Sequence, residues 1–321
     1  MHIRKTLALI LLLTLCLSLA APLAFAADWE GELYKLFSMN ATGTVSPEDD
    51  VLLSVPYLDD GNRAHLLDLF GAQSAAEPMP VIFEVHGGAY IGGTSSINTD
   101  HARFYAENGY IVIAPNYTYL PDGTFKTAIQ DLFAAYHWAV EHAEEYHLDL
   151  SRVGISGDSA GGYYVLLTAA IMTQPELQEY FEVTKPAFDF SAYVTTCPAT
   201  DPLALRELLG DPGLGGYIAG HIGEKILNDD DLMRHCDLYT VVDPETYPEI
   251  YMLTTPGDLI TGKETLKFDA FLTEHGLAHT LVSYKDEGSG LMHDFNIIQM
   301  AFPESRKANA DIVAYLDGIL K

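Results

Sequence analysis

The chain has 321 residues, 48% of them hydrophobic, with 45 acidic against 17 basic side chains and a formal charge of −28. That apolar content supports a large core and excludes an intrinsically disordered chain. The charge argues against nucleic acid and anionic lipid as partners, because both repel an acidic surface.

Residues 1–26 read as a leader rather than as part of a fold. Arg4 and Lys5 open it, residues 7–19 are nearly all apolar, and Ala24-Phe25-Ala26 offers small residues at signal-peptidase spacing. The apolar run is short for a membrane span. The expectation is a cleaved signal peptide, a mature chain beginning at Ala27, a secreted or periplasmic location, and no stable membrane insertion afterwards. Loss of Arg4 and Lys5 leaves 15 basic against 45 acidic residues, about −30. Cys197 and Cys236 remain. An exported chain admits either a bridge between them or two buried thiols; a bridge, tying the end of a core strand to an insertion, is the working expectation.

A short helix is expected over 28–37. Strands follow at 51–55 and 64–70, joined by a turn around Asp59-Asp60-Gly61. Residues 81–85 form a nearly continuous apolar run, the pattern of a strand buried on both faces, and stop at His86-Gly87-Gly88. A helix over about 98–108 precedes a buried strand at 110–114. The amphipathic pattern of 128–146 predicts a long helix. A strand at 153–156 leads into a helix over 160–172, and another strand spans 187–196. Residues 201–248 are irregular with short helical pieces. A strand at 249–255, a helix at 263–275, a strand at 279–284 and a closing helix at 305–320 complete the chain. Strands alternating with helices predict an α/β fold, a mostly parallel central sheet with helices on both faces. The stretch 201–248 interrupts that alternation and reads as a small cap-like insertion at the sheet's carboxyl edge, where ligands bind in such folds.

Gly157-Asp158-Ser159-Ala160-Gly161 fits G-x-S-x-G and occurs once. The bare pattern is weak, since Gly and Ser mark ordinary turns. Its flanks give it weight: a strand before and a helix after, so that a tight turn lifts the serine hydroxyl above the sheet. A serine nucleophile needs a base, and the base needs an orienting acid. Downstream histidines are His221, His235, His275, His279 and His293, and only His293 lies in a loop after the last strand. Asp258 lies in the loop Pro256-Gly257-Asp258 after strand 249–255; Asp243, Asp269 and Asp286 compete with it. Taken singly, each of these residues reads as a solvated surface group. The order Ser, Asp, His at successive element ends favours a catalytic set. An ester carbonyl also needs donors for its developing negative charge. The paired glycines of His86-Gly87-Gly88-Ala89-Tyr90 leave N–H groups accessible for that, together with the N–H of Ala160.

The HGGAY and GDSAGG segments, with a late Asp and a late His, resemble the α/β-hydrolase superfamily. Within it they are similar to hormone-sensitive-lipase-like esterases and related secreted carboxylesterases. The resemblance runs from about residue 50 to the end. It implies an α/β-hydrolase domain over 27–321, with Ser159 as nucleophile, His293 as base and Asp258 as acid. It gives Gly87, Gly88 and Ala160 as oxyanion donors, and His86 as a structural residue. It implies cleavage of short-chain or carbohydrate-linked acyl esters through an acyl-enzyme, a small-molecule or carbohydrate ester as substrate, and neither cofactor nor metal. The chain departs from the family at Tyr117-Thr118-Tyr119-Leu120-Pro121-Asp122, which lacks the usual arginine, at Asp258-Leu259-Ile260, and at Ala89, where a third glycine is usual. A peptidase of the same fold and a catalytically silent binding protein on this scaffold are the rival readings.

Other signals have plainer readings. His137, His142 and His147 recur every five residues, not at the i, i+4 spacing of helical metal sites. Asp229-Asp230-Asp231 reads as a helix start. Tyr163 and Tyr164 line either a pocket or the core. Asn40-Ala41-Thr42 and Asn116-Tyr117-Thr118 fit glycosylation acceptors.

Overall fold

Eight short apolar runs pair into one sheet in the computed structural model, which describes residues 50–321. The expected leader, the helix over 28–37 and the acceptor at Asn40 lie outside the described residues. The strands are β1 (Val51–Pro56), β2 (Leu66–Phe70), β3 (Met79–Val85), β4 (Ile111–Pro115), β5 (Leu148–Asp158), β6 (Phe190–Thr196), β7 (Ile250–Thr254) and β8 (His279–Ser283). Their spatial order is β1-β2-β4-β3-β5-β6-β7-β8. The β1–β2 and β2–β4 pairings are antiparallel, and the rest are parallel. The sheet is that of an α/β-hydrolase.

Period-2 alternation splits the core into two layers. On β3, Val81, Phe83 and Val85 face a cluster with Ile129, Leu132 and Tyr136 of α2 (Phe125–Glu141). Ile82 faces the other cluster, with Tyr105 of α1 (Thr99–Glu107) and with Ile312 and Leu316 of the last helix, Pro303–Leu320. Helix α3 (Ser159–Thr173) is buried from Ser159 to Met172. It therefore shows no apolar stripe, as befits a helix enclosed on all sides. Tyr163 and Tyr164 are wholly buried in it and belong to the core.

Helix α2 starts and ends earlier than the pattern suggests. Thr124 caps it, accepting from the Thr127 N–H, with the Thr127 hydroxyl answering in a capping box. Helix α4 (Pro175–Phe181) follows α3 after one residue, with proline in its first turn. Residues 201–248 hold five short helices: α5 (Ala204–Glu207), α6 (Leu214–Ile222), α7 (Glu224–Leu227), α8 (Asp230–Cys236) and α9 (Leu238–Val241). Asp229 caps α8 by accepting from Leu232 N. The segment is tied to α3 where Tyr163 Oη donates to Cys236 O at 2.6 Å. Helices α10 (Gly262–Glu274), α11 (Phe295–Ile298) and α12 (Pro303–Leu320) complete the chain.

The expected Cys197–Cys236 bridge is not formed; both thiols are free and buried. They belong to different core layers, Cys197 to the α12 side and Cys236 to the α3 side, so the sheet separates them. Asn116 is also bound internally: its amide donates to Leu66 O and accepts from Ser95 N.

Candidate active site

Strand β5 ends at Asp158 and α3 begins at Ser159, so the chain turns without a loop. Ser159 holds φ at +50°, the left-handed region that is uncommon for a residue with a Cβ. The flanking glycines make the turn possible. A Cβ at Gly161 would strike the carbonyl oxygens of Val85 and His86, and one at Gly157 would lie 2.8 Å from the Gly161 carbonyl.

Above this turn, Ser159 Oγ lies 2.9 Å from His293 Nε2, and His293 Nδ1 lies 3.1 Å from Asp258 Oδ1. Asp258 stands in the loop after β7 and His293 in the segment after β8, so the sheet's carboxyl edge brings the three together. Burial works against the charge of Asp258. Hydrogen bonds from His293 and from Thr261 outweigh it and hold the carboxyl at about 2. Ile260 N and Thr261 N donate to Asp258 Oδ1 at 2.9 and 3.0 Å, and Thr261 Oγ1 lies 2.9 Å from Oδ2. The competing acids are engaged elsewhere: Asp269 with His279, Asp286 with the N–H groups of Gly288 and Gly290, and Asp243 with its own turn.

The glycine loop differs from expectation at one position. The Gly87 N–H donates to Asp158 Oδ2 at 3.1 Å and is therefore spent inside the protein, not offered to a substrate. The N–H groups of Gly88 and Ala89 have no protein acceptor among the described residues. Ala160 N–H lies in the first turn of α3, where no intrahelical acceptor exists. His86 stacks on Tyr117 with ring centroids 4.5 Å apart, and burial pushes its pKa down to about 4. It is neutral and structural, its Nδ1–H held by Gly87 O at 2.6 Å.

Two residues of the site escape a reading by motif. Thr261, three after Asp258, holds the acid in an Asx-type turn, and D-x-x-T is the signal that marks it. Asp294 follows His293 in the left-handed region, with φ at +54°, and its Oδ2 lies 3.1 Å from Nε2. Burial disfavours charge on His293, but the carboxyls of Asp294, Asp258 and Asp158 outweigh it and raise the imidazole to about 9. Cys197, Asp258 and His293 bring potential metal donors within 4.8 Å of one another. Asp258 and His293 are committed to each other, however, and burial holds the Cys197 thiol protonated.

A family model described as BD-FAE matches residues 67–268, from β2 into α10, and so includes Ser159 and Asp258. The chain belongs to the BD-FAE family. This BD-FAE chain is similar to Esterase LipQ of Mycobacterium tuberculosis, 26% identical over 241 residues, 72% of this chain and 54% of that protein. It is also similar to the hormone-sensitive lipase of Homo sapiens, 30% identical over 146 residues, 44% of this chain and 13% of that one. The matches span about half or less of the length of these curated relatives. Among solved structures, Esterase B from Lactobacillus rhamnosis superposes with a TM-score of 0.80 at 26% identity, covering 90% of this chain and 92% of that one. The BD-FAE chain thus has the α/β-hydrolase fold and is similar to hormone-sensitive-lipase-like esterases. No helix among the described residues is long and apolar enough to cross a membrane.

Proposed function

We propose that this protein hydrolyses carboxylic esters through an acyl-enzyme formed on Ser159. The observation that carries the reading is the unbroken chain Ser159 Oγ, His293 Nε2, His293 Nδ1, Asp258 Oδ1, at 2.9 and 3.1 Å. His293 takes the Ser159 proton as Oγ attacks the ester carbonyl. The charge that develops on the carbonyl oxygen is met by the unpaired N–H groups of Ala160 and of the Gly88-Ala89 turn. His293 then gives its proton to the departing alkoxide. Water attacks the acyl-serine with the same histidine as base, and the acid leaves. Asp258 keeps the imidazole in the correct tautomer and stabilises its charge.

The substrates are neutral esters, short-chain or carbohydrate-linked. Asp158, Asp258, Asp294 and Glu264 crowd this end of the sheet, and an acidic acyl group would be repelled there. Esterase B of L. rhamnosis, the structural relative, has been captured with a tributyrin phosphonate inhibitor. We extend to this chain the expectation that residues 201–248 cover the site as a cap. The same holds for the leader: the chain is exported and begins at Ala27. Mass spectrometry of exported protein checks that end; an intact Met1 in a membrane fraction would sink it.

Fluorophosphonate labelling with peptide mapping, beside turnover of p-nitrophenyl esters, acetylated oligosaccharides and one aminopeptidase substrate, tests the reading. Label on Ser159 and preference for esters support it. Label at another serine, or amide turnover exceeding ester turnover, overturns it.

A further inference from the structure

A buried polar chain runs from the start of helix α1 to the glycine loop. Asn98 precedes α1, where the side-chain oxygen of an asparagine normally accepts from the helix's first turn. Here it makes no capping bond, and Oδ1 has no donor among the described residues. The amide nitrogen is used instead. Nδ2 donates to Asp158 Oδ1 at 2.7 Å and to Glu84 Oε1 at 3.3 Å. One turn further on, His101 Nδ1 lies 2.7 Å from the same Glu84 oxygen. Asn98, Glu84 and His101 are at most 1% exposed.

Glu84 is the one charged side chain in β3, between Phe83 and Val85. An apolar residue of that size generally serves stability as well or better, so stability alone does not account for it. What the carboxylate does is accept from Asn98 and His101. Asn98 is thereby set between two acceptors, Glu84 and Asp158. Only its NH2 end suits both, so the amide cannot turn over. Asp158 is held in turn. Burial raises its carboxyl, and the Asn98 bond is the largest influence lowering it, so the amide favours the anion. That anion accepts the Gly87 N–H through its other oxygen, Oδ2, at 3.1 Å. The next two residues, Gly88 and Ala89, carry the N–H groups that have no protein acceptor among the described residues. Tyr105 braces the frame: its ring lies 4.5 Å from that of His101, and its hydroxyl lies 3.1 Å from Ser156 Oγ on β5.

We propose that Asn98, braced by Glu84 and His101, is a positioning residue for the oxyanion donors: its amide sets the Asp158 carboxylate, Asp158 sets Gly87, and Gly87 aims the N–H groups of Gly88 and Ala89. This rests on the reading that Ser159 attacks an ester and that those donors meet the oxyanion. The test is kcat and KM for p-nitrophenyl acetate, beside the inhibition constant of an aryl trifluoromethyl ketone, which Ser159 converts into a tetrahedral oxyanion. Asn98→Leu keeps the size of the side chain and removes both of its bonds. Its kcat is expected to fall about 10- to 100-fold, at or below the range for deleting a donor, because the donors are misaimed and not lost. Acylation and deacylation both pass through an oxyanion, so both slow together and KM stays within about threefold. The ketone weakens by the same factor as kcat/KM, since both report the oxyanion. Glu84→Gln is expected to lower kcat about three- to tenfold with the same pattern. Adding Asp158→Asn to Asn98→Leu costs no more than about twofold beyond the worse single variant, because the two act along one path.

Wild-type kcat in folded Asn98→Leu overturns the proposal. A fall in kcat with ketone affinity unchanged also overturns it, because the oxyanion donors are then intact. Losses that multiply in the double variant overturn it as well. If Asn98→Leu does not fold, Glu84→Gln decides by the same comparison of kcat with ketone affinity. Wild type that neither turns over esters nor takes the fluorophosphonate removes the parent reading. An active, labelled wild type with overturning variants removes only the role of Asn98.

Discussion

Asp158 accepts the Gly87 N–H at 3.1 Å, so the residue before the serine fixes the loop that follows β3. The serine turn and the glycine loop are therefore one unit, and the room between them is small. A Cβ at Gly87 would meet the Asp158 carboxylate and lie 2.9 Å from Ser159 Cβ. Gly87→Ala is expected to push the loop away from the turn and misplace the donors at 88 and 89. A lost oxyanion donor typically costs about 10²–10³ in kcat. Steady-state kinetics on folded variant checks this, and wild-type kcat would show that the loop is free to shift without consequence.

Ser159→Ala and His293→Ala are each expected to lower kcat on the order of 10⁶, and the double variant to be no worse than either alone, because the two act as a unit. The sign of the pH effect follows from the base role. As pH falls through the raised pKa of His293, about 9, the imidazole takes a proton and can no longer accept the one on Ser159. Activity therefore falls on the acid side. Turnover in folded His293→Ala near that of wild type would remove this assignment.

Asp258→Asn is expected to cost about 10⁴ in kcat, since the amide holds the wrong tautomer of the imidazole. Thr261→Val probes the support behind it. Thr261 Oγ1 reaches both Asp258 Oδ2 and Cys197 O, at 2.9 and 2.7 Å, in a buried position. Removing that hydroxyl leaves a buried acceptor unpaired, at about 1–3 kcal/mol of stability. The two N–H bonds to Asp258 Oδ1 survive, so kcat should fall far less than in Asp258→Asn. Denaturant unfolding and kinetics together separate the two effects.

The parts of this molecule visible in its sequence are those governed by local pattern. The inner strands, such as β3 and β4, declare themselves as continuous apolar runs because they are buried on both faces, whereas the edge strands β1 and β8 are only half-buried and show in the sequence through their turn boundaries. Ser159, Asp258 and His293 were legible because each ends an element in a fixed order, and their side chains meet at the sheet's carboxyl edge. The Gly87 assignment went wrong for a reason no spacing reveals: its N–H is claimed by Asp158, 71 residues away in sequence. Asp294 was missed because it stands outside the Ser, Asp, His order, and only the left-handed turn at 294 brings its carboxyl to Nε2 of the neighbouring histidine. The cysteines were read as a bridge because sequence distance carries no information about which face of the sheet each occupies.

Glu264, at the start of α10, gives a prediction about stability. Burial raises its carboxyl to about 7, helped by the charges of Asp201 and Asp258 and opposed by the Asp201 N–H and by Lys267. The folded chain thus holds this proton more tightly than the unfolded chain, whose glutamate has the ordinary value near 4.3. As pH rises through that ordinary value the unfolded state releases the proton and the folded state does not. Stability contributed by the protonated form is present below the ordinary value, declines from there up to about 7, and levels off above. Glu264→Gln removes the slope while keeping a carbonyl oxygen for Asp201 N, which donates to Glu264 Oε2 at 3.1 Å in wild type. The group is partly solvated, so the gain in mildly alkaline buffer is expected at roughly 1–3 kcal/mol, with none in acid below the ordinary glutamate range. Urea unfolding at the two extremes measures it. An equal difference at both would mean that the substitution acts through packing and that the Glu264 proton plays no part.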